Sequence, residues 1–189
     1  DVPGYVPPQP GEHPRLFFRK ADLDKIRQRA QTPEGKIIVQ RLRMLLNGTD
    51  GESMPTVFNG SGAAYAGNKA VANDNLNDLM GDKNAPKPDP KTKKGELPVG
   101  AYTLWHGAGY GMLYQLTGDR KYADFGRQCV EKALAGQRDR DDRYSFVKPG
   151  GALRAGPSLG AIAMAYDLCY DGWDDAFRQK VALALQNYD

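Results

Sequence analysis

An all-α fold is predicted, an incomplete (α/α) toroid of inner and outer helix hairpins, and three observations predict it. From Val99 to Gly118 there is not one charged residue, although about a quarter of an average chain is charged. From Asp119 to Lys132 charges return, on one face only. The same succession comes again at 157–188: an uncharged helix, a turn of Asp and Gly, then an amphipathic helix. A helix that is apolar or small all round is buried on all sides, and a one-sided stripe marks an outer helix. Alternation of the two at a fixed period predicts stacked hairpins. Such architectures need about three or more units to bury each face. Two clear pairs and one N-terminal pair are present, and the last helix has no cap. Residues 1–189 are therefore expected to be the N-terminal portion of a toroid domain in a larger protein.

Residues 1–19 form the lead-in. Pro3, Pro7, Pro8, Pro10 and Pro14 keep its first part extended, and Arg15-Leu16-Phe17-Phe18 reads as an apolar plug against the first helices. Lys20 to Ala30 sets Leu23, Ile26 and Ala30 on one side of a narrow amphipathic helix. Thr32-Pro33-Glu34 supplies a cap, a first-turn proline and an early acid, a strong start signal. The helix that follows carries Ile37, Ile38, Leu42, Leu45 and Leu46 and stops at Asn47-Gly48. Residues 47–98, rich in Gly, Asn, Pro and Lys, read as a long loop with one weak helical piece at 70–80. Its lysines Lys83, Lys87, Lys91, Lys93 and Lys94 are either a solvated run or a contact for an anionic ligand.

The first hairpin spans 99–136 and the second 152–188. On the first inner helix, Tyr102, Trp105, Gly109, Leu113 and Leu116 share one face. Gly107, Ala108 and Gly111 lie opposite, where small residues let another helix approach. A third stripe joins Thr103, His106, Tyr110 and Tyr114. Asp119 caps the outer helix, which is expected to bury Tyr122, Phe125, Cys129, Val130 and Ala133 before Gly136 ends it. A charged loop at 138–143 and a turn at 148–151 lead to the second inner helix, read as 157–170. Asp174 then caps a helix that buries Phe177, Val181, Leu185 and Tyr188, with Arg178 and Lys180 pointing out.

Composition narrows the function classes. Lys plus Arg is 26 against 23 for Asp plus Glu, a net charge of +3, too small and scattered to predict nucleic-acid binding. A mild excess of positive charge fits an enzyme handling acidic substrates. No run reads as a membrane span, and the N-terminal residues do not read as a signal peptide. With two histidines, His13 and His106, a zinc site is not expected, and no other metal or cofactor is predicted. Cys129 and Cys169 are either two buried thiols or a disulfide between neighbouring helices. Asn47-Gly48-Thr49 and Asn59-Gly60-Ser61 match the glycosylation pattern by chance.

Three segments resemble the heparinase II/III-like and alginate-lyase-like polysaccharide lyases, whose N-terminal domain is an incomplete (α/α) toroid. His13-Pro14-Arg15-Leu16-Phe17-Phe18, with Asp22-Leu23 and Ile26-Arg27 after it, is similar to the family's opening segment. Tyr114-Gln115-Leu116-Thr117-Gly118-Asp119-Arg120-Lys121-Tyr122 resembles its helix junction, a pattern also common in other α/α toroids. Ala165-Tyr166-Asp167-Leu168-Cys169-Tyr170-Asp171 resembles a third stretch. These pieces are spread between residues 13 and 171.

The resemblance implies a secreted or periplasmic enzyme that cleaves a uronic-acid-containing polysaccharide by β-elimination. Its partners would be that polysaccharide and the rest of its own polypeptide, further toroid helices and a β-rich domain. One group must neutralise the carboxylate, a base must take the C5 proton, and an acid must protonate the leaving oxygen. The family uses an Asn, His or Glu for the first job and a Tyr and a His for the others, and its Asn-containing motif lies on an inner helix that would fall beyond Asp189. No catalytic residue is therefore carried over to this chain.

The candidate substrate-binding residues are His106, Tyr110, Trp105 and Arg154. His106 and Tyr110, one turn apart, either serve proton transfer or carboxylate binding, or bond to neighbouring backbone inside a buried helix. Trp105 either stacks on a sugar ring or belongs to the core. Arg154, placed just before the second inner helix, either grips a carboxylate bidentately or makes a surface ion pair. Tyr166 and Asp167 read as structural, fixing the turn into the next helix. Two alternatives stand beside the lyase. A toroid glycoside hydrolase would need a carboxylate pair, with Asp167, Asp139, Asp141 and Asp142 as local candidates. A helical-repeat module would bind glycan without turnover.

Overall fold

The computed structural model describes residues 4–55, 102–139 and 143–188. Its architecture is all-helical, six α-helices without a strand among the described residues. The expected helical piece at 70–80, the 83–94 lysines, Asn59, Asp141 and Asp142 lie outside them. The helices are α1 (Leu23–Ala30), α2 (Pro33–Asn47), α3 (His106–Thr117), α4 (Arg120–Leu134), α5 (Ala152–Cys169) and α6 (Asp175–Gln186). Short 3-10 turns, Lys20–Asp22 and Tyr170–Gly172, lead into α1 and out of α5.

Local chemistry sets most helix ends. The Thr32 hydroxyl accepts from the Gly35 N–H at 3.1 Å, with Pro33 in the first turn. Asp119 caps α4 through Lys121 N–H, and Asp174 caps α6 through Phe177 N–H at 2.8 Å. Gly48 and Gly118 close α2 and α3 with φ of 91° and 74°, a left-handed conformation that favours glycine.

The organising element is α3, which packs against α1, α2, α4 and α5. Its glycines make this possible. A Cβ at Gly107 would stand 3.1 Å from Ala165 Cβ, and one at Gly111 would stand 2.7 Å from Leu168 Cβ. Gly109, expected on the same face as Leu113, instead faces α2, where a Cβ would come within 2.8 Å of Leu46. On α4, Tyr122, Cys129, Val130 and Ala133 are buried as expected and Phe125 packs on the core at its edge. Val181 and Phe177 of α6 are buried, and the Phe177 ring meets Trp173 at 4.8 Å, edge to face. Trp173 in turn donates its indole N–H to Ala123 O at 2.8 Å. The two cysteines are free and buried, and burial holds both thiols far above their ordinary range.

Four expectations need correction. The first inner helix begins at His106 rather than near Val99, because the residues before it are bound elsewhere: Leu104 N–H goes to Asp139 Oδ2 at 2.7 Å. The second begins at Ala152 rather than 157 and carries Pro157 inside it. The missing proline N–H would have bonded the carbonyl of Leu153, an exposed residue in the first turn. On α2, Leu46 is buried and Val39 and Leu42 pack on the core, but Ile37 and Ile38 are each 67% exposed and Leu45 is exposed too. The apolar plug also fails as a plug, since Leu16 and Phe17 are exposed. The lead-in is held by polar groups instead.

Candidate functional site

The four substrate-binding candidates do not converge. Trp105 ends the irregular stretch before α3 and is 46% exposed. Tyr102, expected on the same stripe and also ahead of the helix, is buried, so the two part company there. Its ring leans towards α5, where a Cβ on Gly160 would touch Trp105 Cη2 at 4.0 Å. His106 is buried and folds back on its own turn: Nδ1 accepts the Thr103 N–H at 2.9 Å. A neutral ring in that arrangement carries its hydrogen on Nε2. Tyr110 has no exposed surface, and its hydroxyl donates to Ser53 O at 2.6 Å. Burial pushes that hydroxyl's pKa far above the ordinary tyrosine range. The His106 and Tyr110 rings stand 6.5 Å apart, both inside the helix packing.

Arg154 sits in the first turn of α5, not before it, because that helix starts early. Its Nη1 donates to Gly150 O at 2.9 Å, and its Nε is buried without a hydrogen bond. Of the four, Trp105 alone presents a broad ring to solvent. Among the described residues no group of three or more His, Cys, Asp or Glu could hold a metal ion. No helix among them is long and apolar enough to cross a membrane.

A more fully built cluster lies where the lead-in meets α5. Asp167 is buried and accepts four hydrogen bonds from the lead-in. His13 Nδ1 lies 2.7 Å from its Oδ1, Arg15 N–H reaches both oxygens at 3.1 and 3.0 Å, and Leu16 N–H reaches Oδ2 at 3.0 Å. The His13 ring stacks on Tyr170 at 3.9 Å and meets Tyr166 edge-on. A buried carboxylate needs this many donors to offset its lost hydration. Asp167 and Tyr166 are therefore structural, but they hold the lead-in rather than the turn that follows. Farther out, Arg19 grips Glu12 through two 2.6 Å bonds and donates to Val6 O. That guanidinium holds the Glu12 carboxyl down to about 2.

The second network surrounds the α3–α4 junction. Glu52 receives the Tyr122 hydroxyl, Lys121 Nζ at 2.5 Å, and Arg43 Nη1. Lys121 first, then Tyr122 and Arg43, lower its carboxyl from 4.5 to about 2. Beside it, Asn47 Oδ1 accepts from Thr49 N–H and Gly51 N–H while Nδ2 donates to Asp50 and Ser53. With its amide so engaged and buried, Asn47 is a loop anchor rather than a glycosylation acceptor. Because the folded pKa of Glu52 is depressed, its contribution to stability is present above about pH 4.5 and lost as pH falls towards 2. Half-exposed ion pairs contribute little, so Glu52→Gln should cost no more than about 1 kcal/mol at neutral pH. Urea titrations of both proteins across that window should show the difference vanish at its acid end.

His13, Asp167, Glu52 and Arg43 were not singled out as partners by the sequence. Spacing could not pair His13 with Asp167 across 154 positions, although each sits in a segment that carried the family resemblance. No family model, curated protein or solved structure matches the chain.

Proposed function

We propose that the chain is the N-terminal part of a secreted or periplasmic polysaccharide lyase that cleaves a uronic-acid-containing polysaccharide by β-elimination. One observation supports this reading most. The two segments at the ends of the resemblance, His13–Phe18 and Ala165–Asp171, are bound to each other through Asp167. Residues that share a physical task across the chain are harder to explain as separate chance matches. The helix hairpins α3–α4 and α5–α6, with α3 packed on α5, are also what the first turns of an (α/α) toroid require.

In this proposal the chain supplies a wall of the cleft, while the proton-transfer groups belong to further toroid helices. Of the four candidates, Trp105 has the exposed ring for a sugar face. His106 and Tyr110 shape the wall from behind. The hydrolase alternative is weakened because two of its four local carboxylates are occupied. Asp167 is saturated by the lead-in, and Asp139 is buried against Leu104 N–H.

The test is to incubate this chain, and the full polypeptide to which it belongs, with polymers of glucuronate, galacturonate and mannuronate. The full polypeptide should generate the ultraviolet absorbance of an unsaturated uronate, and this chain alone should not. New reducing ends without that absorbance would identify a hydrolase and sink the proposal. Binding with neither signal would identify a glycan-binding module.

A further inference from the structure

We propose that the groove formed by the end of α1, one face of α2 and the end of α3 binds a single carboxylated sugar residue. Lys36, Val39, Gln40 and Arg43 fall at i, i+3, i+4 and i+7 and so share one face of α2. Gln31 closes one side from the end of α1, and Leu116 and Thr117 close the other from the end of α3. The enclosed space is about 250 Å³, the scale of one sugar ring rather than a chain.

The lining matches that ligand group by group. No carboxylate lines the groove, while two cations do, Lys36 and Arg43, the latter ion-paired with Glu52 behind it. Lys36 is exposed and has no ion-pair partner among the described residues, so its ammonium is available to a uronate carboxylate. Arg43 is held in place through Nη1, which donates to Asp50 O, Glu52 and the Tyr122 hydroxyl. Among the described residues no hydrogen bond engages its Nε or Nη2, so a fixed guanidinium retains donors. The Gln31 and Gln40 amides can each donate and accept, as vicinal sugar hydroxyls require, while the Thr117 hydroxyl, whose proton goes to Leu113 O at 2.7 Å, can only accept. Val39 and Leu116 supply an apolar floor for the C–H face of a pyranose. Hydrophobic ligands fit poorly against so many polar groups, and a bare phosphate would leave the amides and the floor unused.

The ligand class rests on the proposed acidic-polysaccharide function, but the readout does not depend on turnover. The chain is titrated with glucuronate, galacturonate and mannuronate trisaccharides and with a neutral galactose trisaccharide, by calorimetry and by amide NMR shifts. At least one uronate should bind, more weakly as salt rises, with shifts gathered at Lys36, Gln40 and Thr117, and the neutral sugar should bind far less. Lys36→Ala should weaken uronate binding about tenfold, and Lys36→Arg should retain it. Lys36 is exposed, so circular dichroism should show both variants folded. Failure of all three uronates to bind, equal binding of the neutral sugar, or an unchanged affinity in Lys36→Ala would overturn the proposal. Elimination by the full polypeptide alongside any of these would leave the lyase reading standing. Lys36-dependent binding without elimination would leave the groove and remove the lyase.

Discussion

Asp167→Ala should lower the unfolding free energy by about 3–5 kcal/mol, because it removes a buried acceptor shared by three donors. His13 Nδ1, Arg15 N–H and Leu16 N–H all end on that one carboxylate. Water cannot easily replace it at His13, since Asp167, His13 and Pro14 are all buried, whereas Arg15 and Leu16 are exposed. Chemical denaturation of the two proteins measures the loss, and limited proteolysis should cut the variant within residues 12–19. Asp167→Asn keeps the volume but turns one acceptor into a donor, so it should recover only part of the stability. His13→Ala removes the stack on Tyr170 and one of the bonds. Combined with Asp167→Ala it should show a coupling of about 1–3 kcal/mol. A loss below about 1 kcal/mol in Asp167→Ala would mean that the lead-in is held by something other than this clasp.

Gly111→Ala should also destabilise, by about 1–3 kcal/mol, although helix propensity argues for the opposite sign. In an open helix the exchange would stabilise by roughly 1 kcal/mol. Here the new methyl would lie 2.7 Å from Leu168 Cβ and 3.0 Å from Cys169 Sγ, forcing α3 and α5 apart. Gly118→Ala should be destabilising for a different reason, its φ of 74° with open space around it. The contrast separates packing from backbone strain. In a double-mutant cycle by thermal unfolding, Leu168→Gly, which removes the Cβ that the new methyl meets, should lessen the cost of Gly111→Ala if the clash is the cause, whereas Leu168→Ala, which keeps that Cβ, should not. A Gly111→Ala protein as stable as the parent would show that α3 and α5 are not in contact along this face.

Both predictions concern features whose two halves were differently legible. The glycine pattern at Gly107 and Gly111 announced a close approach, because small residues on an uncharged helix have few other uses. The partner helix was legible only as another uncharged segment. Asp167 stood out as the single charge in 157–170, yet nothing near it in the chain supplies its donors. The stripe Thr103, His106, Tyr110 and Tyr114 was legible as a spacing, but its meaning was not. His106 spends Nδ1 on Thr103, and Tyr110 reaches Ser53, a residue of the loop after α2. Both bonds turn a possible site inward.

The sequence by itself determined the helical class and the helix ends at Thr32, Gly48, Gly118, Asp119 and Asp174. Those signals act between residues no more than about four apart, where the geometry of a single turn decides the outcome. Tertiary structure alone decided which apolar residues of α2 are covered, that Trp105 faces solvent, and that Arg154 lies inside α5. It alone joined His13 to Asp167 and set Lys36, Gln40 and Thr117 around one groove. Such pairings depend on how whole helices pack, and the energy that selects a packing is summed over surfaces no local spacing encodes.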